Sequence, residues 1–173
     1  MPHDPPLKVL VPLDYAGCGT AVAREAATLA SALGASAVLL HVIDLPEGVP
    51  AESVVEAGGG ARVSAEDLVE AEARTALQGL KGIFDLEGVP AYLHYGHGHD
   101  VAAVILEHAR EIGASHIVLG THGRTGLRRW VLGSVAEQVI RKAPCPVMTV
   151  RAPAGSPDTP SDARRALAAE RDG

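Results

Sequence analysis

Five short aliphatic runs, separated by stretches with helical spacing, constrain the fold of this chain more than any other feature. They are LKVLVPL (7–13), SAVLLHVID (36–44), VPAYLHY (89–95), SHIVLG (115–120) and PVMTV (146–150). Runs this short, apolar without strict alternation, suit parallel strands covered on both faces. Between the first two, TAVAREAATLASALGAS repeats Ala and Leu at helical spacing and stops at Gly34, a natural residue just past a helix end. A second helical pattern fills 64–86 and opens on Ser64-Ala65-Glu66-Asp67, a capping-box-like start. A third covers 100–112, with Val101, Val104, Ile105 and Ala109 on one face, and a short fourth covers 134–142. The stretch LPEGVPAESVVEAGGGARV (45–63) reads as a polar loop around Gly58, Gly59 and Gly60.

Strands alternating with helices predict an α/β fold: a single open five-stranded parallel sheet with helices on both faces. In such sheets the strand C-termini share one edge, and ligands bind there, where the strand order reverses. The chain has 173 residues, enough for one domain over 1–151. The remainder, 152–173, turns to Pro, Ser, Asp and Arg with little apolar mass and is expected to be a disordered tail.

Composition narrows the function. Hydrophobic residues make up 47% but aromatics only 3%, so the core must be Val, Leu, Ile and Ala. A net charge of −6 argues against a nucleic-acid partner, because the basic residues around 124–142 suit one small anion and form no stripe. Cys18 and Cys145, the two cysteines, supply neither a disulfide framework nor a four-ligand zinc set. The opening MPHDPPLKVLVPLD has too short an apolar run for a signal segment, and no stretch approaches the roughly 20 apolar residues of a membrane span. A soluble cytoplasmic protein is expected.

The segment GTHGRTGLRRWVLGSVAEQVI (120–140) holds more glycine than a turn needs. It is not a Walker A loop, since Leu132-Gly133 and no lysine precede Ser134. Gly17-Cys18-Gly19-Thr20-Ala21-Val22 begins like a dinucleotide fingerprint but fails at Val22. The physical requirements of a phosphate site are still present. Glycines let backbone N–H groups approach an anion, and a Gly-Ser pair opening a helix adds free donors and the positive end of the helix dipole. Gly133, Ser134 and Val135 are therefore candidates to hold phosphates, and Asp14, at a strand end, to hold a ribose or to cap the first helix. His122 and Arg124 lie inside the loop, either reaching the phosphates or pointing to solvent.

The spacing Gly120-x-x-Gly123-x(9)-Gly133-Ser134 resembles the ATP-binding motif of the universal stress protein family. LKVLVPLD is similar to its first strand, AVLLHVID to its second, and 98–150 to its whole C-terminal half. The resemblance implies a Rossmann-like, adenine nucleotide alpha hydrolase-like fold that binds ATP with Mg2+, the ion riding on the phosphates and not on protein ligands. It implies that Pro12 and Asp14 flank the adenosine, with Asp14 on the ribose and Val42 against adenine. It places Leu119, Gly120 and Gly123 along the nucleotide, and Gly133, Ser134 and Val135 on the phosphates. It also implies a homodimer through the last strand, from Pro146 to Val150, which would cover an open sheet edge.

Three positions depart from the family pattern. Ala16 lacks a cap hydroxyl, so Thr20 is expected to cap the first helix; Asp100 stands where proline is common, and Ser115 where aspartate is usual.

Other features have plainer readings. His94-Tyr95-Gly96-His97-Gly98-His99 reads as a polar strand end and loop before it reads as a metal site. Trp130 reads as a packing anchor, and the cysteines as structural thiols. The expected function is a nucleotide-gated stress-response module that acts through an unknown protein partner. It has no catalytic residues and at most slow ATP hydrolysis, since no phosphate-site lysine or arginine finger is identifiable. The rivals are a nucleotide-free dimeric interaction protein and an adenylating or phosphotransfer enzyme, for which 173 residues leave no second-substrate domain.

Overall fold

A computed structural model describes residues 6–13, 19–43, 50, 52–56, 62–121 and 132–151. In chain order these form β1 (Lys8–Pro12), α1 (Gly19–Leu33), β2 (Ser36–Ile43), β3 (Val54–Glu56), β4 (Arg62–Ser64), α2 (Ala65–Leu86), β5 (Ala91–His97), α3 (Val101–Glu111), β6 (His116–Gly120), α4 (Ser134–Lys142) and β7 (Val147–Val150). Five of the strands make one parallel sheet in the order β5-β2-β1-β6-β7. The expected α/β architecture is therefore the observed one.

The two faces of the sheet carry separate cores. Val9, Val11, Leu39 and Val118 pack with the alanines of α1 and with Leu77 and Phe84 of α2. Leu10, Val38, Leu40, Ile117 and Leu119 pack with Ala102, Ile105, Leu106 and Ala109 of α3 and with Ala136 and Val139 of α4. Successive strand residues point to opposite faces, and both faces are covered, which is why the runs read as continuously apolar. Chain order follows from this split: α1 and α2 precede the crossover to β6, and α3 and α4 lie on the opposite face. The strand order reverses between β1 and β6.

Local signals fix most helix ends. Gly34 adopts φ 61° just past α1, with Ala35 N–H donating to Ala30 O at 2.9 Å. Ser64 Oγ accepts from Asp67 N–H at 3.0 Å and caps α2, as the sequence pattern predicts. Asp100 caps α3 by accepting from Ala103 N–H at 3.0 Å, so this departure from the family pattern carries its own helix start. Ser115 donates to Lys8 O at 2.9 Å from both its backbone N–H and its hydroxyl, tying the entry of β6 to β1. Thr20 does not serve as an N-cap: α1 already begins at Gly19, placing Thr20 inside the first turn.

Two further expectations need correction. The segment read as a loop over 45–63 contains an antiparallel pair, β3 with β4, in the register Val54↔Ser64, Val55↔Val63 and Glu56↔Arg62. Three-residue strands carry too little periodicity to be seen in the sequence. The third aliphatic run also continues further than its apolar residues suggest. β5 extends through Gly96 and His97 because β2 pairs with it to Val42↔Gly96 and Ile43↔His97. Among the described residues, no helix is long and apolar enough to cross a membrane. The predicted tail over 152–173 lies outside the described residues.

Candidate functional site

The parallel registers bring the C-terminal ends of all five main strands to one edge of the sheet. At the reversal point the ladder is shortest. β1 pairs with β2 over five positions, from Lys8↔Ser36 to Pro12↔Leu40, but with β6 only at Val9↔His116 and Leu10↔Ile117. Each of these strands runs on past its last shared register, β1 to Pro12 and β6 to Gly120. Parallel strands that stop pairing before they end leave a cleft between them, and Pro12 has no N–H with which to close it.

Three candidates share the α3/α4 side of this edge. Pro12 follows Leu10 by one strand period, and Val42 packs beside the core that contains Leu10, Leu40 and Leu119. Pro12 and Val42 are half-buried, so each has surface left to offer. Leu119 is itself a core residue, only 4% exposed, and therefore borders the cleft chiefly with its backbone. Gly120, half-buried, ends β6 opposite Val150 of β7.

The start of α4 is drawn to the same place. Thr121 N–H donates to Val150 O at 3.0 Å, and Gly133 N–H donates to Thr121 O at 2.9 Å. The second bond fastens the two ends of the glycine-rich loop together, so α4 begins directly beside the end of β6. Gly133 is the N-cap residue, with φ −61° and ψ 147°, and itself offers no side chain to cap this helix. Ser64 and Asp100 supply that service for α2 and α3. At α4 the first-turn N–H groups of Ser134 and Val135 and the positive end of the helix dipole are what the chain presents at the cleft. Ser134 is exposed, and Val135 packs against the α3/α4 core. Asp14, His122, Gly123 and Arg124 lie outside the described residues.

The sequence reading missed one participant. His41, only 7% exposed, is the buried polar residue of β2. Its Nδ1 lies 3.0 Å from Leu13 O, so Nδ1 carries the proton and donates to that carbonyl. Leu13 N–H in turn donates to Leu40 O at 2.8 Å. The backbone of Leu13, immediately before Asp14, is thus held by β2 on both of its polar groups. The signal was present: a histidine within LLHVI must find a partner once the strand is buried.

The remaining polar clusters sit away from the cleft. His97 Nε2 lies 3.0 Å from Glu66 Oε1, linking the end of β5 to the first turn of α2. The Arg74 guanidinium stands 5.9 Å from the centroid of the Tyr95 ring. Burial pushes the Cys145 thiol up from its ordinary range, as suits a structural cysteine.

The fold has counterparts among known proteins. Residues 7–151 match the model of the universal stress protein family. A universal stress protein of Methanocaldococcus jannaschii is 34% identical over 148 residues, covering 84% of this chain and 82% of its own. A solved structure from the same family in Burkholderia pseudomallei is 30% identical and superposes with a TM-score of 0.60, covering 84% of this chain and 96% of its own. The universal stress protein of Archaeoglobus fulgidus, solved in complex with dAMP, is 28% identical with a TM-score of 0.58, covering 83% and 96%. With a five-stranded parallel sheet in the matching architecture and a family match spanning nearly the whole described chain, the protein belongs to the universal stress protein family.

Proposed function

We propose that the cleft between β1 and β6 binds ATP with Mg2+, and that the protein is a nucleotide-gated stress-response module. The observation that carries this reading is the placement of an α4 N-terminus without a capping side chain beside a strand pair that stops pairing early. Backbone donors and the helix dipole at Gly133, Ser134 and Val135 would take the phosphates. Pro12 and Val42 would border the adenosine, the backbone of Leu119 and Gly120 would line it, and Asp14 would accept from the ribose hydroxyls. Gly123, His122 and Arg124 belong to the loop that would close over the phosphates. Mg2+ would sit on phosphate oxygens and water, as this ion prefers. The relative solved with dAMP supports an adenine nucleotide as the ligand class.

Hydrolysis is at most slow in this proposal, because no Walker-type lysine precedes Ser134 and positioning alone supplies little of a phosphoryl-transfer barrier. ATP would act by shifting a conformational or assembly equilibrium read by a protein partner; a coupling of about 1–3 kcal/mol suffices. The assembly proposed is a homodimer through β7, the sheet edge from Pro146 to Val150, where Met148 and Thr149 are exposed.

Calorimetric titration of the nucleotide-free protein with ATP and with ADP, Mg2+ present, tests the reading. Micromolar-range binding is expected, and Gly133→Val, whose side chain would stand where the phosphates approach, is expected to lose it while keeping the wild-type circular dichroism. No detectable binding by the wild type would replace this reading with a nucleotide-free dimeric interaction protein.

A further inference from the structure

Outside the cleft, the structure joins two histidines that are 14 positions apart in sequence. His94 of β5 and His108 of α3 share a hydrogen bond, with Nδ1 and Nε2 2.8 Å apart and one proton between them. Their rings meet edge to face, with centroids 4.9 Å apart and planes at 84°. His94 reaches this face because it pairs with Leu40, a residue of the α3/α4 core, whereas its neighbours Leu93 and Tyr95 pack on the α1/α2 core.

The pair is held by rigid elements. Gly96, two residues along β5, lets α3 come so close that a Cβ there would stand 2.5 Å from Val104 Cγ1. The pair is also accessible, since both histidines are only part-buried and the His108 side chain is 17% exposed. On the far side of His108, Nδ1 lies 3.7 Å from Glu111 Oε2.

We propose that His94 Nδ1 and His108 Nε2 form a two-histidine clip for a divalent late transition metal of tetragonal preference, Cu2+ or Ni2+. The distance selects the geometry. Metal–nitrogen bonds of about 2.0–2.1 Å meeting at a right angle separate the nitrogens by ~2.9 Å, and meeting at the tetrahedral angle by ~3.3 Å. The hydrogen bond already holds the nitrogens 2.8 Å apart, near the right-angle edge of a square-planar or octahedral ion, which would take the place of the shared proton with water in its other positions. Among the described residues no third His, Cys, Asp or Glu groups with the pair, so in this proposal the two histidines are the only protein ligands. The metal cross-links β5, an edge strand, to α3 and stabilises the folded state.

The test uses full-length protein without an affinity tag, stripped of metal and titrated with Cu2+ and Ni2+ near pH 7.5. The Cu2+ electron paramagnetic resonance spectrum is expected to show two coordinated imidazole nitrogens, reduced to one or none in His94→Gln and in His108→Gln. Ni2+ at tenfold its dissociation constant is expected to raise Tm by about 3–6 °C. That rise should vanish in both variants and persist in His97→Gln, whose ring sits beside Glu66. An unchanged copper spectrum in both clip variants, or a Ni2+ stabilisation that survives in them, would place the ion elsewhere and overturn the proposal. So would the absence of any shift in the wild type.

Discussion

The contact between Gly96 and Val104 yields a prediction whose sign depends on its surroundings. A Cβ added at Gly96 would stand 2.5 Å from Val104 Cγ1, but 3.7 Å from Leu40 Cδ1 and 3.9 Å from Val42 Cγ2, which are ordinary contacts. The whole penalty of Gly96→Ala therefore resides in one methyl group on α3. Overpacking of this kind costs about 1–3 kcal/mol. Against it, replacing a glycine whose backbone suits alanine restricts the unfolded chain and returns about 0.4–1 kcal/mol. Gly96→Ala alone should lower stability by ~1–2 kcal/mol, the difference of these two terms. Val104→Ala removes the offending methyl, so Gly96→Ala made in that background should be neutral or stabilising by ~0.5 kcal/mol. The two substitutions are thus coupled by more than 1 kcal/mol, well outside the ~0.3–0.5 kcal/mol scatter of independent sites. Urea unfolding of the four proteins of the cycle, read as midpoints at constant m, measures this directly. If Gly96→Ala costs the same with valine and with alanine at 104, the close approach of α3 to β5 is not what glycine serves there.

Three further outcomes follow from individual contacts. Ser64→Ala should destabilise by about 1 kcal/mol through loss of the cap on Asp67 N–H, with Ser64→Asp retaining most of it; urea midpoints compare the two. His41→Leu removes the donor to Leu13 O and should cost about 1–3 kcal/mol of stability, and on the proposed function should weaken ATP as well, because Leu13 carries the chain into Asp14; wild-type ATP affinity in a folded variant would separate the anchor from the site. Burial raises the Cys145 pKa, so in a Cys18→Ser background thiol alkylation should be slower than that of a free cysteine at pH 8; the folded state holds its proton longer than the unfolded one, so this group contributes stability that is lost as pH rises through the unfolded range near 9.0, and unmodified-cysteine rates at pH 8 would contradict the burial.

Much of this molecule was legible because its signals are short-ranged. The bounds of α4 were readable to the residue, and those of α3 to within its caps, since capping and helical periodicity are written within one or two turns. Continuous aliphatic runs announced strands covered on both faces, and strand–helix alternation then announced the parallel sheet. The glycine spacing marked a candidate phosphate loop, because an anion site made of backbone N–H groups needs glycine at particular steps.

Tertiary structure decided what depends on partners distant in sequence. β5 runs on to His97 because β2 extends beside it, not because Gly96 and His97 favour a strand. The β3–β4 pair exists through its register, which three residues a side could not advertise. His41 looked like one polar letter in an apolar run until β1 placed the Leu13 carbonyl beside it. His94 stood with His97 and His99 in a polar strand end, and its true neighbour was set only when α3 crossed behind β5 and brought His108 to 2.8 Å. Sequence by itself determined which segments would form the helices and the strands of the main sheet, since local hydrogen bonding and side-chain period settle those choices, and it supplied the residues proposed for a nucleotide. Only the packed sheet decided which ends would meet, since a cleft or a histidine pair is made by segments that become neighbours when both cores are buried.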